Sequence, residues 1–597
     1  MITRWRRLAG VTIGTAFRAA PGTALACLAM GVAAAVASVT YPIGFKDVID
    51  GALAHASGQI VLGVLLVAVL FTASWVLAIA SGTTGTLLTD RVNLALGVLI
   101  ARLAATLPTL EHFERSDLLG RLEQLTQNRR TMAGAPRQLI GLFGQALRAI
   151  GIVVLLATIY LPVLLVPLLA VAPALSDRWA ARVQQRSDDS LAEDRRLLSA
   201  LFSLATSADS AREVRTYGIA DALSRRHAEL TERVRRRAVR AALLSATLEA
   251  AGWIVFAAGL VAAIAVLVLR AADGHVTPGQ VVMAVSLMRR AQSQISRSTD
   301  TAGNLNTAVA AARQLLWLED HAAQTTHPAR GDGKIPARLH SGITLEGLRF
   351  AYPGSEDEDV LGPIDLELPA GTTIAVVGEN GAGKTTLVKL LCGMYRPTGG
   401  RITVDGLDLA ELSPIDWRER VTGAFQDFQR FQLVLAESVG VGDLPRVAEH
   451  PEVRGALGRA GSAALEEQLP DGLATRVGSR FTGGRELSGG QWQRLALARG
   501  LMRQTPLLVV LDEPTASLDA PTEAALFERY AAAARGHGAA QGTITLLVSH
   551  RFSTVRTADL IVVLEDGLVV EHGSHTELLA RGGTYAELFD LQARAYR

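Results

Sequence analysis

The residues best suited to chemistry begin with a glycine-rich loop, GENGAGKTT, which follows the apolar stretch TTIAVV and precedes TLVKLL. A strand, a glycine loop and a helix in this order form a phosphate-binding P-loop, in which glycines let backbone N–H groups approach phosphate oxygens. We expect the Lys384 ammonium to meet the β and γ phosphates and the Thr385 hydroxyl to ligate Mg²⁺. The predicted nucleotide-binding residues of this loop are Gly378, Glu379, Asn380, Gly381, Ala382, Gly383, Lys384, Thr385 and Thr386.

A pair of carboxylates ends a second apolar run, Leu507–Leu511, at Asp512 and Glu513. Such a run indicates a strand that is buried on both faces, and ligands bind at the carboxyl ends of strands in parallel sheets. Asp512 is suited to Mg²⁺ through water, and Glu513 to the role of a general base that polarises the attacking water. Alone, the pair could be an exposed strand end; together with the P-loop, it predicts nucleotide hydrolysis.

A second glycine-containing turn, RELSGGQWQR, begins at Arg485, far downstream of the P-loop. A serine and two glycines before a helix start also offer backbone N–H groups to an anion. Leu487–Gln491 resembles the signature motif of ATP-binding cassette (ABC) proteins. On this resemblance, Ser488, Gly489, Gly490 and Gln491 contact the γ-phosphate of a nucleotide held by the P-loop of a second chain, because two nucleotide-binding domains pair head to tail.

The remaining motifs of that family are present in the family order. Tyr352, in FAYPG, resembles the aromatic residue that stacks on adenine, and Gln426, in AFQDF, resembles the Q-loop glutamine that ligates Mg²⁺ and water. Ser517–Asp519 resembles the D-loop, and His550 resembles the switch histidine that contacts the γ-phosphate. Tyr352 alone could be a core aromatic and His550 alone a strand-end histidine. The resemblance implies ATP and Mg²⁺ as cofactors and Glu513, His550, Lys384 and Gln426 as the catalytic set.

Bulk properties exclude several classes of protein. A chain of 597 residues is too long for one core, and its net charge of +2 gives no support for nucleic-acid binding. The mean hydropathy of +0.26 is high for a soluble protein of this length. Cys27 and Cys392 are the only cysteines, so neither a disulfide framework nor a cysteine-ligated metal site is available.

The N-terminal half contains long uncharged runs, each long enough for a helix to cross a bilayer. The third run contains Tyr160-Leu161-Pro162, which predicts two helices in a tight turn, the first beginning near Arg137. A more polar sixth helix is predicted over 276–296, which gives six spans. The runs are Ala19–Phe45, Ala56–Thr89, Ala149–Ser176 and Ala250–Leu269. The first is too long for the apolar region of an ordinary signal peptide.

Arginine placement predicts the orientation in the membrane. The N-terminus and the segments 90–137 and 177–240 are rich in arginine, so the positive-inside rule places them in the cytoplasm. The two long segments are expected to extend the membrane helices into the cytoplasm. Within them, Glu111–Asp117 and Ala211–Gly218 resemble the two coupling-helix regions of ABC exporters, although each could be a solvated helix face.

From about residue 340, apolar strands alternate with helices, which is typical of an α/β domain with a mostly parallel sheet. Strands are predicted at Thr373–Val377, Leu507–Leu511 and Ile544–Val548, and a helix at Thr385–Met394. The predicted fold class is therefore multi-domain: an all-α six-helix transmembrane domain followed by an α/β P-loop NTPase. The predicted domains are a transmembrane domain at 1–320, a linker at 321–340 that contains Gly331-Asp332-Gly333, and an ATPase domain at 341–597.

This order of domains resembles bacterial ABC exporters with the extended six-helix fold. The resemblance implies an ATPase in the cytoplasmic membrane that exports an amphipathic small molecule, peptide or lipid by alternating access as a dimer. Glu513, Leu487–Gln491 and His550 are intact, which favours a homodimer over pairing with a paralogous half-transporter. Two alternatives stay open: an importer on the same scaffold, for example of siderophores, and a nucleotide-gated sensor or channel.

The substrate is not specified by any motif. Arg148, Glu249, Arg289 and Arg290 are charged residues within predicted spans, where charge is costly and often functional. They could contact an anionic amphipathic substrate, or they could snorkel or pair internally. No peptidase domain is expected before the first span, so no leader peptide would be cleaved. One departure from the family pattern is Arg476, in Thr475-Arg476-Val477-Gly478, where a glutamate is usual.

Overall fold

The structure is a computed structural model that describes two compact units. The first contains 1–102 and 122–318, and the second contains 103–121 and 319–597. The described residues are 7, 10, 14–165, 169, 171–207, 210–325, 334–355, 358–513, 542–549 and 551–595. Three predicted features lie outside them: the linker glycines at 331–333, the D-loop at 517–519, and His550.

The first unit is helical. Its helices, with the short helix of the second unit at Glu111–Glu114 included as α4, are α1 (Thr15–Ala19), α2 (Pro21–Leu53), α3 (Ser57–Thr106), α5 (Ser116–Ile159), α6 (Val171–Ser190), α7 (Ala192–Thr206), α8 (Ala211–Thr216), α9 (Ala220–Ala272) and α10 (Pro278–Thr325). Four of the described helices are long and apolar enough to cross a membrane, by length and composition: Pro21–Leu53, Ser57–Thr106, Leu118–Ile159 and Ala220–Ala272.

The predicted third span needs a correction at its start. Helix α5 begins at Ser116 rather than near Arg137, because polar residues of the preceding segment continue the same helix without a break. Its end is as predicted: α5 stops at Ile159, and a short 3₁₀ helix covers Leu161–Leu164. Pro162 cannot donate a backbone hydrogen bond to the preceding turn, so it favours a new start there. Most of the predicted sixth span, 276–296, lies in α10, which begins at Pro278 and is more polar than the four helices that are apolar enough to cross a membrane.

Glycine residues allow two helices of the first unit, α2 and α3, to approach each other closely. A Cβ atom added to Gly44 of α2 would lie 2.8 Å from the carbonyl oxygen of Gly63 in α3. The backbones of these two helices are therefore in near contact, as is common between membrane helices with small residues at the interface. Large apolar side chains such as Trp75 and Ile79 remain exposed on α3, as expected for a surface that faces lipid.

Arg290, a charged residue of the predicted sixth span, makes contacts inside its own unit. Its guanidinium donates a hydrogen bond to the Ser38 carbonyl of α2 and lies 4.0 Å from the ring centroid of Tyr41. Gln294, one turn further along α10, donates a 2.9 Å hydrogen bond to the Gln145 carbonyl. The Arg290 guanidinium is thus held in place by Ser38 and Tyr41 of α2, both within the same unit.

The second unit contains two sheets. Its strands are β1 (Gly342–Phe350), β2 (Leu361–Pro369), β3 (Thr373–Val377), β4 (Gly399–Val404), β5 (Leu407–Asp408), β6 (Val421–Ala424), β7 (Leu508–Asp512), β8 (Ile544–Val548), β9 (Leu560–Glu565) and β10 (Leu568–Gly573). The six-stranded sheet has the order β10-β9-β3-β8-β7-β6, parallel except for the antiparallel β10–β9 pair. The four-stranded sheet, β2-β1-β4-β5, is antiparallel.

The helices of the second unit, beyond α4, are α11 (Lys384–Leu391), α12 (Pro414–Glu419), α13 (Leu435–Gly440), α14 (His450–Arg459), α15 (Ala463–Glu467), α16 (Gly489–Gly500), α17 (Phe552–Val555), α18 (His575–Arg581) and α19 (Thr584–Ala595). Helix α11 packs between the two sheets in one apolar core, and α16 packs in a second core around Trp492 and Leu495. The strands β3, β7 and β8 are almost fully buried, so their carboxyl ends present loops in fixed positions.

Candidate functional site

The glycine loop lies between the buried strand β3 and helix α11, as the sequence predicts. Gly378, Gly381 and Gly383 have φ angles of 154°, 92° and 94°, a region that L-residues with a Cβ rarely adopt. A Cβ at Gly378 would also lie 2.1 Å from the Leu564 carbonyl oxygen. The loop therefore needs glycine at these positions to direct its N–H groups inward, beside the N-terminus of α11.

The Lys384 ammonium lies within this loop. Its Nζ donates hydrogen bonds to the carbonyl oxygens of Gly378, at 2.9 Å, and Glu379, at 2.7 Å. Burial lowers the pKa of Lys384, while the nearby carboxylates of Glu513 and Asp512 act in the opposite direction. The ammonium is thus pre-positioned by the loop backbone and faces the acidic end of strand β7.

Asp512 ends strand β7 and is almost fully buried, with 2% of its surface exposed. Burial and the neighbouring Glu513 carboxylate raise the pKa of Asp512 to about 6. Its Oδ2 accepts a long hydrogen bond of 3.5 Å from the Thr385 hydroxyl, and its Oδ1 is buried without a hydrogen-bond partner among the described residues. A buried carboxylate oxygen with unused acceptor capacity beside a threonine hydroxyl fits a hard cation such as Mg²⁺.

Glu513 adopts a left-handed backbone conformation with φ 45°, which costs roughly 1–3 kcal/mol for a residue other than glycine. Its N–H donates to the Val548 carbonyl at 3.0 Å, and its own carbonyl accepts a 3.3 Å hydrogen bond from the Gln493 side chain. Its carboxylate accepts a 2.8 Å hydrogen bond from Gln426 Nε2. These contacts hold the Glu513 carboxylate at the mouth of the site.

These groups share one cavity of about 230 Å³. Its lining residues are Val360, Asn380, Gly381, Gly383, Lys384, Thr385, Thr386, Gln426, Asp512, Glu513 and Val548. The structure therefore brings together the P-loop, the glutamine and both carboxylates that the sequence singles out. Tyr352 and the turn Leu487–Gln491 do not line this cavity in the described part of the chain.

Tyr352 lies beside the cavity, at the start of helix α11. Its hydroxyl is 3.1 Å from the Thr386 hydroxyl, and its ring packs edge-on against Phe350 and Tyr395. The Nζ of Lys389 is 5.4 Å from its ring centroid, within the range of a cation–π contact. The aromatic ring is therefore attached to the same helix that carries Lys384.

The turn RELSGG forms the N-terminus of helix α16. Ser488 is the N-cap: its hydroxyl accepts from the Gln491 N–H at 3.3 Å, and its N–H donates to the Gln491 side chain at 2.8 Å. This capping box fixes the first turn of a twelve-residue helix, whose N-terminal N–H groups favour an anion. The capping box is a function of Ser488 and Gln491 that we did not predict, although its S-x-x-Q pattern is visible in the sequence.

Two further residues, Arg476 and Trp492, make side-chain contacts near this turn. The Arg476 guanidinium, at the place where a glutamate is usual, lies 4.8 Å from the Phe481 ring centroid. The indole N–H of Trp492 donates to Glu486 at 3.0 Å and lowers the pKa of that carboxylate. Arg476 thus has an aromatic contact within its own unit, and Trp492 anchors the start of α16.

Comparison with known proteins agrees with this geometry. Residues 361–516 match the family model of the ABC transporter, and residues 24–293 match that of the ABC transporter transmembrane region. An ATP-dependent lipid A-core flippase of Chromohalobacter salexigens is 31% identical over 426 residues, which cover 71% of this chain and 70% of that protein. The chain belongs to the ABC transporter family.

Other ABC transporters extend the comparison. A protein of the same description from Ralstonia nicotianae is 36% identical over 371 residues, covering 62% of this chain and 60% of its own length. The structure of a bacterial Atm1-family ABC exporter with ATP bound has a TM-score of 0.73 over 97% of this chain and 98% of that one, at 24% identity. The fold is therefore that of an exporter half-transporter, a helical transmembrane domain fused to an α/β nucleotide-binding domain.

Membership in this family establishes the general activity of the chain. It is an ABC transporter that couples ATP hydrolysis to transport, and it is a multi-pass inner-membrane protein with a cytoplasmic ATPase domain. A half-transporter fold of this kind implies dimerisation.

Three residues with contacts at this site were missed by the sequence analysis. Gln493 contacts the Glu513 carbonyl, while Lys389 and Glu114 make contacts beside Tyr352. Gln493 lies two residues after the signature motif, so its position was a usable signal. Lys389 carries no motif of its own, and Glu114 was named only as part of the segment Glu111–Asp117 that resembles a coupling helix; only the fold brings the two residues together.

Proposed function

We propose that this chain is an ATP-driven exporter that works as a homodimer and moves an anionic, lipid-like amphipathic molecule. The proposal of a dimer rests on which residues line the nucleotide cavity. It is lined by Lys384, Thr385, Gln426, Asp512 and Glu513, whereas the anion-binding turn at Ser488–Gln491 lies elsewhere. A second copy would supply that turn, so ATP would join two chains and hydrolysis would release them.

The chemistry assigned to each residue follows from its place in the cavity. Glu513 would accept a proton from the attacking water, and its 2.8 Å hydrogen bond with Gln426 orients both side chains toward it. The Lys384 ammonium would exchange its hydrogen bonds to the loop carbonyls for contacts with the β and γ phosphates, whose negative charge compensates its own. His550, assigned from the family resemblance alone, would contact the γ-phosphate.

Thr385, Asp512 and Gln426 would hold Mg²⁺. Two features of Asp512 support this assignment: its Oδ1 is buried without a hydrogen-bond partner among the described residues, and its Oδ2 lies 3.5 Å from the Thr385 hydroxyl. When bound, the ion would neutralise charge on the phosphate oxygens. The protein's own contribution is to keep the Asp512 carboxylate buried and oriented by strand β7.

The remaining loop residues would hold the nucleotide. Glycine N–H groups of the P-loop and the N-terminus of α11 would contact phosphate oxygens, with Thr386 on the same first turn. Tyr352 would stack on adenine. Gly489, Gly490 and their neighbours at the N-terminus of α16 would complete the γ-phosphate shell of the partner's nucleotide.

The lipid-like substrate rests on two observations. The curated relatives are named lipid A-core flippases, and the alignments cover about 60 to 70% of their lengths. In addition, Arg290 places a positive charge within the membrane-spanning unit, held against Tyr41 and Ser38. An arginine that is fixed in this way suits an anionic head group. Arg148, Glu249 and Arg289 stay further candidates for contact with substrate.

The test is transport into inside-out membrane vesicles. Vesicles with the wild-type chain or with Glu513→Gln would receive ATP and a fluorescent anionic lipid, and in parallel a host metabolite extract analysed by mass spectrometry. Export predicts ATP-dependent enrichment inside vesicles with the wild type only. Depletion from preloaded vesicles would show import instead, and ionic current without enrichment would show a nucleotide-gated channel.

A further inference from the structure

The cytoplasmic turn α4, Glu111–Glu114, joins the membrane helices α3 and α5 in sequence, yet it packs in the second unit. The N–H of Leu110 donates to the Met394 carbonyl at 3.3 Å, and the Pro108 carbonyl accepts a hydrogen bond from Arg418. The backbone of segment 108–114 is therefore attached to Met394, just after helix α11, and to Arg418 of helix α12. We call this segment the docking turn.

The side chain of Glu114 adds a polar attachment to the docking turn. One carboxylate oxygen accepts a 2.9 Å hydrogen bond from Lys389 Nζ, and the other accepts a hydrogen bond from the Tyr395 hydroxyl. Tyr395 is buried and Lys389 is partly buried, while the Glu114 side chain keeps 39% of its surface exposed, so the attachment gains from two donors on one carboxylate rather than from burial of that carboxylate. The docking turn is thus bound to helix α11 at its last turn.

Lys389 connects this attachment to the aromatic cluster at the nucleotide site. Its Nζ lies 5.4 Å from the Tyr352 ring centroid and 5.7 Å from that of Tyr395. Burial lowers the pKa of Lys389, but the hydrogen bond to Glu114 and the contact with Tyr352 outweigh it, so the pKa is raised. The ammonium stays charged at neutral pH and attracts the Tyr352 ring.

The orientation of Tyr352 therefore depends on three groups besides Phe350, which packs against the ring from strand β1. Thr386 of helix α11 bonds its hydroxyl, Lys389 of the same helix contacts its ring, and Tyr395 packs against its edge. Glu114 bonds both Lys389 and Tyr395. A single carboxylate on the docking turn thus restrains two of these groups, Lys389 and Tyr395.

We infer that Glu114 and Lys389 are positioning residues for recognition of the nucleotide base: they fix the Tyr352 ring for stacking and transmit the presence of a purine to the docking turn. The inference rests on the proposed role of Tyr352. Coupling between two binding events is reciprocal, so a stacked adenine must strengthen the docking turn as much as the docking turn strengthens stacking. Phosphate binding and hydrolysis use other residues and should be spared.

The test compares a strongly stacking base with a weakly stacking one. ATP and UTP hydrolysis would be measured on the full-length transporter in lipid nanodiscs, for Glu114→Gln and Lys389→Met. We expect KM for ATP to rise roughly three- to tenfold, with KM for UTP and both kcat values changed less than about twofold. Glu111→Gln, which removes the same charge from the same turn, is the matched control and should leave both KM values unchanged.

A second readout separates this role from simple loosening of the fold. Hydrogen exchange of residues 108–114 should slow more with ATP than with UTP in the wild type, and equally with both in Lys389→Met. Lys389→Arg, which keeps a cation beside the Tyr352 ring and a donor to Glu114, should retain most of the ATP preference. Equal loss for ATP and UTP, or a fall in kcat alone, would show a structural role and overturn the inference.

The variant Tyr352→Ala tests separately whether Tyr352 stacks on the base, which is the assignment on which this inference rests. If Tyr352→Ala leaves KM for ATP unchanged, then the assignment of Tyr352 to the base is wrong and the inference falls with it. If Tyr352→Ala raises KM for ATP while Glu114→Gln and Lys389→Met do not, then Tyr352 stacks on the base but the docking turn takes no part. Thermal unfolding of each variant, compared with the wild type, establishes that it is folded.

Discussion

Gln426 Nε2 donates a 2.8 Å hydrogen bond to the Glu513 carboxylate, although the two residues follow different strands, β6 and β7. The parallel pairing of Ala424 with Leu511 brings these strand ends side by side. A water between the two side chains and a phosphate would be oriented by both. This pair is therefore the part of the cavity that we expect to control hydrolysis.

Removing the base should stop turnover while ATP binding persists. In Glu513→Gln the amide cannot accept a proton from water, so we expect kcat for ATP to fall at least about a hundredfold. The dimer formed with ATP should persist, which chemical cross-linking or size-exclusion chromatography would show. Glu367→Gln, on an exposed face of strand β2, is the control. Undiminished turnover in Glu513→Gln would exclude this residue as the base.

The contact between Gln493 and Glu513 predicts a milder effect. Gln493→Met keeps the side-chain length but removes the donor that holds the Glu513 carbonyl in its left-handed conformation. We expect kcat to fall roughly three- to tenfold with little change in KM for ATP, because the base is misplaced and the nucleotide is not. Steady-state kinetics measure this, with the exposed Gln504→Met as control. A rise in KM alone would contradict the prediction.

The Lys384 ammonium should be needed for binding rather than for folding. In Lys384→Ala the phosphates lose a point charge, so affinity for a fluorescent ATP analogue should fall at least about tenfold in equilibrium titrations. The thermal unfolding temperature without nucleotide should change little, since Lys384 contacts only loop carbonyls of its own turn among the hydrogen bonds found. Retained affinity in Lys384→Ala would reject the P-loop assignment.

Mixed dimers can test whether the Ser488 turn serves the partner's nucleotide. Ser488→Arg places a large cation at the N-terminus of α16, where the γ-phosphate is expected, so each chain should bind ATP without closing. A dimer of one Lys384→Ala chain and one Ser488→Arg chain should retain one intact site. A dimer of one chain with both substitutions, Lys384→Ala and Ser488→Arg, and one wild-type chain should have no intact site. Equal ATPase rates in the two dimers would contradict a composite site.

Asp512 predicts the dependence on Mg²⁺. In Asp512→Asn the buried carboxylate is replaced by a neutral amide, so the Mg²⁺ concentration for half-maximal ATPase should rise at least about tenfold. Chelation of Mg²⁺ by EDTA should abolish hydrolysis in the wild type. Titration of ATPase rate against free Mg²⁺ measures both effects. An unchanged Mg²⁺ dependence would remove Asp512 from the proposed ligands.

Much of this protein could be predicted from local sequence. The strands Thr373–Val377 and Ile544–Val548 have the predicted bounds, because short apolar runs between turn residues specify buried strands without further context. The glycine loop was predictable because its residues are adjacent in the chain, between a strand and a helix, and the positive φ angles of Gly378, Gly381 and Gly383 explain why glycine stands there. The start of α5 was predicted wrongly, because hydropathy marks the part of a helix within the membrane and not its polar continuation.

By itself, the sequence determined the two kinds of domain, the phosphate loop and the carboxylates at the end of β7, since each depends on residues adjacent in the chain. Only the tertiary structure decided which distant residues meet. The contacts of Gln426 and Gln493 with Glu513, and of Glu114 with Lys389, join segments that strand order and helix packing bring together. Local motifs single out Gln426 and the segment that contains Glu114, but they do not name the partners of these side chains, because those partners are set by packing in three dimensions rather than by spacing along the chain.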